Sequence, residues 1–202
     1  ILLSLLFILF RTAFRQSVQS IYNENMLNKL YREQGTTVFS PLTIWYIFAW
    51  VSGGIFSFLL LRYYGLGISG RFGLDLLYCI LGVSALSFAK HFVLNFLGIV
   101  FPIDREISKY NFTIMLFGIV AGVLLLIPTI LLAYGPVGIN QYVVHGSLVF
   151  LAVMAFFLYL RGLFLTNRFL RFYLFHFLLY ICTVEIAPVL ILLTLGKNYW
   201  GV

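Results

Sequence analysis

Between residues 173 and 195 the chain reads Y-L-F-H-F-L-L-Y-I-C-T-V-E-I-A-P-V-L-I-L-L-T-L. At about 1.5 Å per residue, a helix of this length crosses the roughly 30 Å of hydrocarbon in a bilayer. Yet His176, Thr183, Glu185 and Pro188 lie inside it. A carboxylate at that depth costs about 2.5–3.5 kcal/mol to insert, so it faces a protein partner or a water-filled cavity rather than lipid. The rest of the chain has to supply that shelter.

Composition points the same way. Of 202 residues, 62% are hydrophobic and 9% charged, against about 25% charged in soluble domains. Among the six acidic residues, Glu24, Glu33, Asp104 and Glu106 fall in connecting segments and Asp75 at a segment edge, which leaves Glu185 alone at depth. The thirteen Lys and Arg residues give a net charge of +7. They sit at the ends of apolar runs, so they report orientation in a membrane rather than binding to nucleic acid. Cys79 and Cys182 both fall within apolar runs, with no metal-ligand spacing around them, and read as small buried residues.

The pattern predicts an all-α polytopic transmembrane bundle of about six crossings, one membrane domain over the whole chain. The expected helices are residues 1–10, 41–61, 74–101, 112–134, 142–164 and 173–195. The first is too short to span and carries no cleavage pattern, so the numbering is expected to begin partway through a helix. Between 16 and 33, apolar Val18, Ile21, Tyr22, Met26 and Leu30 recur at helical spacing among Arg15, Lys29 and Arg32. Two readings stay open for this segment: an interfacial amphipathic helix on an anionic membrane face, or a connector helix packed on the bundle. Ser40-Pro41 is a helix start. Gly53, Gly54 and Ser57, and then Gly118-x-x-x-Gly122, are spacings that let helices approach closely. Pro128 predicts a kink. Pro102 stops the preceding helix, and residues 103–111, with Asp104, Arg105, Glu106 and Lys109, read as a charged loop.

Orientation follows from where the basic residues fall. Arg11, Arg15, Lys29, Arg32, Lys90, Arg105, Lys109, Arg161, Arg168 and Arg171 belong to one side; Arg62, Arg71 and Lys197 belong to the other. Connectors 11–40, 102–111 and 165–172 are therefore expected in the cytoplasm and the C-terminus in the periplasm. Arg11, Arg15, Lys29, Arg32, Arg168 and Arg171 form the expected cytoplasmic interface.

Several polar groups could carry function. Counting along the helices puts Glu185 ~18 Å from the cytoplasmic edge, His176 ~5 Å from it, and Lys90 and His91 ~24 Å from the outer edge. A Lys90–Glu185 ion pair is disfavoured by depth, and Lys90 is expected to snorkel inward. His91 and His176 share a level, the minimum for a haem held by two histidines, or each makes one interhelical hydrogen bond. His145 lies near the start of the fifth helix. His176, Tyr180 and Thr183 share one stripe of the last helix, and Glu185 lies about 180° from His176. Pro188 leaves a carbonyl free beside Glu185. No H-E-x-x-H, G-x-S-x-G or phosphate-loop pattern is present, so no catalytic set can be assembled and no cofactor is expected.

The run R-F-Y-L-F-H-F-L-L-Y-I-C-T-V-E-I-A-P-V-L, residues 171–190, with F-A-K-H-F-V-L-N-F-L-G, residues 88–98, resembles the bacterial multi-pass membrane family DUF4271, a domain of unknown function. The positions that match are Arg171, Phe175, His176, Tyr180, Glu185 and Pro188. The resemblance covers most of the chain and implies an integral inner-membrane protein of a Gram-negative bacterium. It implies no activity and no catalytic residues. The expectation is a non-enzymatic subunit, in contact with lipid and with other membrane or envelope proteins, whose polar last helix docks or braces a partner. The alternatives are a proton- or cation-coupled carrier or channel using Glu185, and, more remotely, a haem-binding electron carrier using His91 and His176.

Overall fold

A computed structural model of the chain describes residues 14–34, 41–66, 70–100 and 104–166. In order these are α1 (14–22), α2 (Glu24–Gln34), α3 (Pro41–Tyr63), α4 (Phe72–Val100), α5 (Asp104–Leu124), α6 (Leu126–Tyr134) and α7 (Val137–Thr166). Among the described residues there is no strand. Four segments within them are long and apolar enough to cross a membrane: Pro41–Tyr63, Phe72–Phe96, Ile107–Tyr134 and Gly138–Gly162. The crossings expected at 1–10 and 173–195 lie outside the described residues. All the described helices belong to one compact unit, Ile1–Leu160, apart from the end of α7, which belongs to a second unit starting at Arg161.

The helix ends follow from local chemistry. Pro41 opens α3, where a missing N–H leaves no carbonyl unserved. Its other end closes on Gly65, at φ +72°. There the Leu66 N–H reaches the Leu61 carbonyl at 2.9 Å and the Gly65 N–H reaches that of Arg62 at 3.1 Å, the paired bonds that end a helix on a left-handed glycine. The stretch expected to be a charged loop is helical instead. α5 begins at Asp104, so Arg105, Glu106, Lys109 and Asn111 all sit on its first turns. Acidic residues stabilise a helix start through its positive dipole end, so a sequence such as Asp104-Arg105-Glu106 suits a helix N-terminus as well as a loop.

Pro128 cannot donate to the Leu124 carbonyl, and the long third span breaks at Leu125 into α5 and α6. The carbonyl of Leu125 accepts twice, from the Thr129 N–H at 3.1 Å and from its hydroxyl at 2.6 Å.

α3 and α5 carry most of the interior: Leu42, Trp45, Tyr46, Phe56 and Phe58 on the first, and Tyr110, Leu116, Phe117 and Ile119 on the second, are all buried. Small residues bring the backbones together. A methyl group on Gly122 would meet the Cβ of Ala49 and lie 2.6 Å from its Cα, and one on Gly54 would lie 2.6 Å from the Cα of Ile80 in α4. By contrast α4 and α7 expose large apolar side chains, among them Phe92, Ile99, Val149 and Phe156. That surface suits hydrocarbon, in which packing and interhelical hydrogen bonds, rather than the hydrophobic effect, hold helices together.

Residues 16–33, expected as one helix, form two, with Asn23 between them. Its side-chain oxygen accepts the Asn25 N–H at 3.0 Å, a cap at the start of α2. Leu27 and Leu30 are buried, whereas Tyr22, expected on the apolar face, is 87% exposed. The buried face packs on the bundle: Phe14 stacks with Trp45 of α3 at 5.2 Å, Tyr31 meets Phe112 of α5 edge-on at 5.6 Å, and the Tyr31 hydroxyl donates to Ser108 at 2.8 Å. Of the two readings left open for this segment, the packed connector matches these contacts.

Candidate functional site: a polar junction of three helices

Four polar side chains from α3, α4 and α5 join in one hydrogen-bonded chain. Tyr46 sits about 8 Å along α3 from Pro41, and Asn111 about 10 Å along α5 from Asp104. His91 and Asn95 lie one turn apart on α4. The Tyr46 hydroxyl lies 2.7 Å from His91 Nε2, His91 Nδ1 faces Asn111 Oδ1, and Asn111 Nδ2 donates to Asn95 Oδ1 at 2.8 Å.

The donors and acceptors fix one another. Because the Asn111 amide nitrogen donates to Asn95, its oxygen faces the imidazole, so Nδ1 carries the proton in the neutral ring. Nε2 then accepts from Tyr46. Tyr46 is buried, His91 and Asn111 are half-buried, and Asn95 is exposed. Aromatic rings enclose the buried end: Tyr46 packs edge-on against His91 at 5.5 Å and against Trp50 at 4.9 Å, and Trp50 lies 4.9 Å from Phe88. A second bond ties α3 to α5 farther along, from the buried Ser52 hydroxyl to the Gly122 carbonyl at 2.8 Å.

His91 is the residue singled out from the sequence that enters this junction. Lys90 lies half-buried beside it on α4. His145 stands elsewhere, with its Nδ1 donating to the Gln141 carbonyl one turn back on α7 at 2.8 Å. Arg15, Lys29 and Arg32 are exposed on α1 and α2, and Lys29 reaches Glu33 at 4.0 Å. Arg11, Arg168, Arg171, His176, Tyr180, Thr183, Glu185 and Pro188 lie outside the described residues.

Sequence reasoning passed over Tyr46 and Asn111. Tyrosine has an ordinary use at a membrane interface, so Tyr46 does not stand out, and Asn111 falls at the end of the stretch expected to be a charged loop. The usable signal was that a helix starting at Asp104 places Asn111 inside a span, where an amide needs a partner.

Chemically the arrangement holds helices together. With both ring nitrogens hydrogen-bonded, His91 has no spare lone pair for a haem iron in this geometry. Amide side chains on its far side are poor carriers of protons, so the chain of bonds ends there.

No curated protein and no solved structure matches the chain. A family described as a domain of unknown function (DUF4271) matches residues 1–195, and the protein belongs to it.

Proposed function

We propose that the protein is a non-enzymatic integral inner-membrane subunit that docks or braces a partner in a bacterial envelope complex, with connector 11–40, the segment ahead of Ile107 and connector 165–172 in the cytoplasm. The observation that carries this reading is the junction of Tyr46, His91, Asn111 and Asn95, whose polar atoms satisfy one another. A site built for turnover leaves groups available to a substrate; this one fastens three helices. The connector helices are held to the same end of the bundle by Tyr31 and Phe14. They turn Arg15, Lys29 and Arg32 outward, where a partner or acidic lipid can meet them.

The test is mild detergent extraction of the full chain from its native membrane, with cross-linking and size measurement. One recurrent partner, retained at constant stoichiometry, is the expected result. A lone chain that moves protons across liposomes, and stops doing so as Glu185→Gln, would replace this reading with the carrier.

A further inference from the structure

We infer that the hollow where α3 ends and α4 begins binds the headgroup of a phosphoethanolamine lipid. This hollow lies about 24 Å along α3 from Tyr46, at the opposite end of the bundle from the polar junction. Its volume is about 330 Å³, and Phe58, Leu61, Arg62, Leu66, Phe72 and Asp75 line it. That is the lower end of the range for small-ligand sites and suits a headgroup rather than a whole lipid.

Its position sets the class of ligand. Two candidate spans end here, at Tyr63 and Phe72. Tyr63 and Tyr64, packed edge-on at 5.2 Å, are the aromatics favoured at the level of lipid headgroups. The walls have a defined local cause: the turn at Gly65 brings Leu66 back towards Leu61, and Phe58 meets Phe72 edge-on at 5.0 Å.

Two charged groups of opposite sign line this apolar frame. Arg62 lies over the Phe72 ring, 5.7 Å from its centre, and pairs with no carboxylate among the described residues. A guanidinium so placed keeps its fork of N–H donors for a phosphate, which it grips at two oxygens. Asp75 supplies acceptors on the α4 side. A carboxylate has about four lone-pair positions, so it can receive an ammonium alongside any other partner. A phosphoglycerol headgroup brings negative charge and no cation to Asp75, and a choline headgroup brings a cation with no N–H to donate. Phosphoethanolamine satisfies both residues, and the apolar walls favour the lipid over the free headgroup.

The full chain, purified in detergent and stripped of lipid, is incubated with equal amounts of phosphatidylethanolamine, phosphatidylglycerol and phosphatidylcholine of identical acyl chains. Bound lipid is then counted by native mass spectrometry. Ethanolamine lipid should be retained ahead of both others. Arg62→Gln should reduce that retention about tenfold, the loss of one charge-assisted contact. Asp75→Asn should remove the preference for ethanolamine over glycerol, and Lys29→Gln, which deletes the same charge at the far end, should change nothing. Elution volume and circular dichroism confirm that each variant is folded; should Arg62→Gln fail that check, Asp75→Asn and the wild-type lipid ranking still decide. Equal retention of the three lipids, or an Arg62→Gln chain that binds like the wild type, overturns the assignment. So does displacement of the lipid by soluble phosphoethanolamine at equal concentration.

Discussion

Asn111 uses both ends of its amide, one towards His91 and one towards Asn95, so its loss strands two partners at once. Interhelical hydrogen bonds in membrane proteins contribute about 0.6 kcal/mol on average and up to about 1.7. Asn111→Leu should therefore lower unfolding stability by roughly 2 kcal/mol, and Tyr46→Phe, which removes one donor from His91 Nε2, by about 1 kcal/mol. Midpoints of denaturant unfolding in micelles measure both. In a double-mutant cycle, Tyr46→Phe and His91→Leu should fall short of additivity, whereas independent effects would show that the bond between them carries no energy. At this scale the sequence was half legible. His91 stood out as a polar residue in an apolar run. Its partners did not: Tyr46 has an ordinary use at a membrane surface, and Asn111 follows charged residues that imitate a loop.

Between elements, what counts is how closely backbones approach. Gly122→Ala would push a methyl group against Ala49 and strain the bond from Ser52 to the Gly122 carbonyl, forcing α3 and α5 apart. Overpacking of this kind costs about 1–3 kcal/mol. A methyl group on Gly82, in the middle of α4, would meet nothing within 4 Å among the described residues. Gly82→Ala should be neutral or stabilise by up to about 1 kcal/mol through helix propensity. Thermal melting in detergent separates the two glycines, and equal shifts would remove the argument for close packing. Such features were readable beforehand because they are backbone properties: the Gly118 and Gly122 spacing and the Pro128 interruption depend on residue type and position alone. The start of α5 was not, because Asp104 and Glu106 serve a helix N-terminus and a solvated loop equally well.

For the molecule as a whole, exposed residues at the two ends of the bundle make the proposed orientation measurable. With Cys79 and Cys182 replaced by alanine, a cysteine at Tyr22, in the connector helices, should react with a membrane-impermeant maleimide only after the membrane is opened. One at Tyr64, beyond α3, should react from outside in intact cells. The reverse pattern would invert the topology. The membrane class and helical architecture were plain from apolar run lengths, whereas the polar junction depends on which faces of three separate helices meet.

That junction also has a consequence for biogenesis. As the nascent chain emerges, α3 and α4 enter the bilayer before α5 exists, so the imidazole can find the tyrosine but its second nitrogen faces no amide. Until residue 111 leaves the ribosome, the inserted hairpin carries an unanswered N–H in a medium that offers no water. The arrival of the next helix completes it, which makes that helix the step at which a loosely associated pair becomes a finished unit.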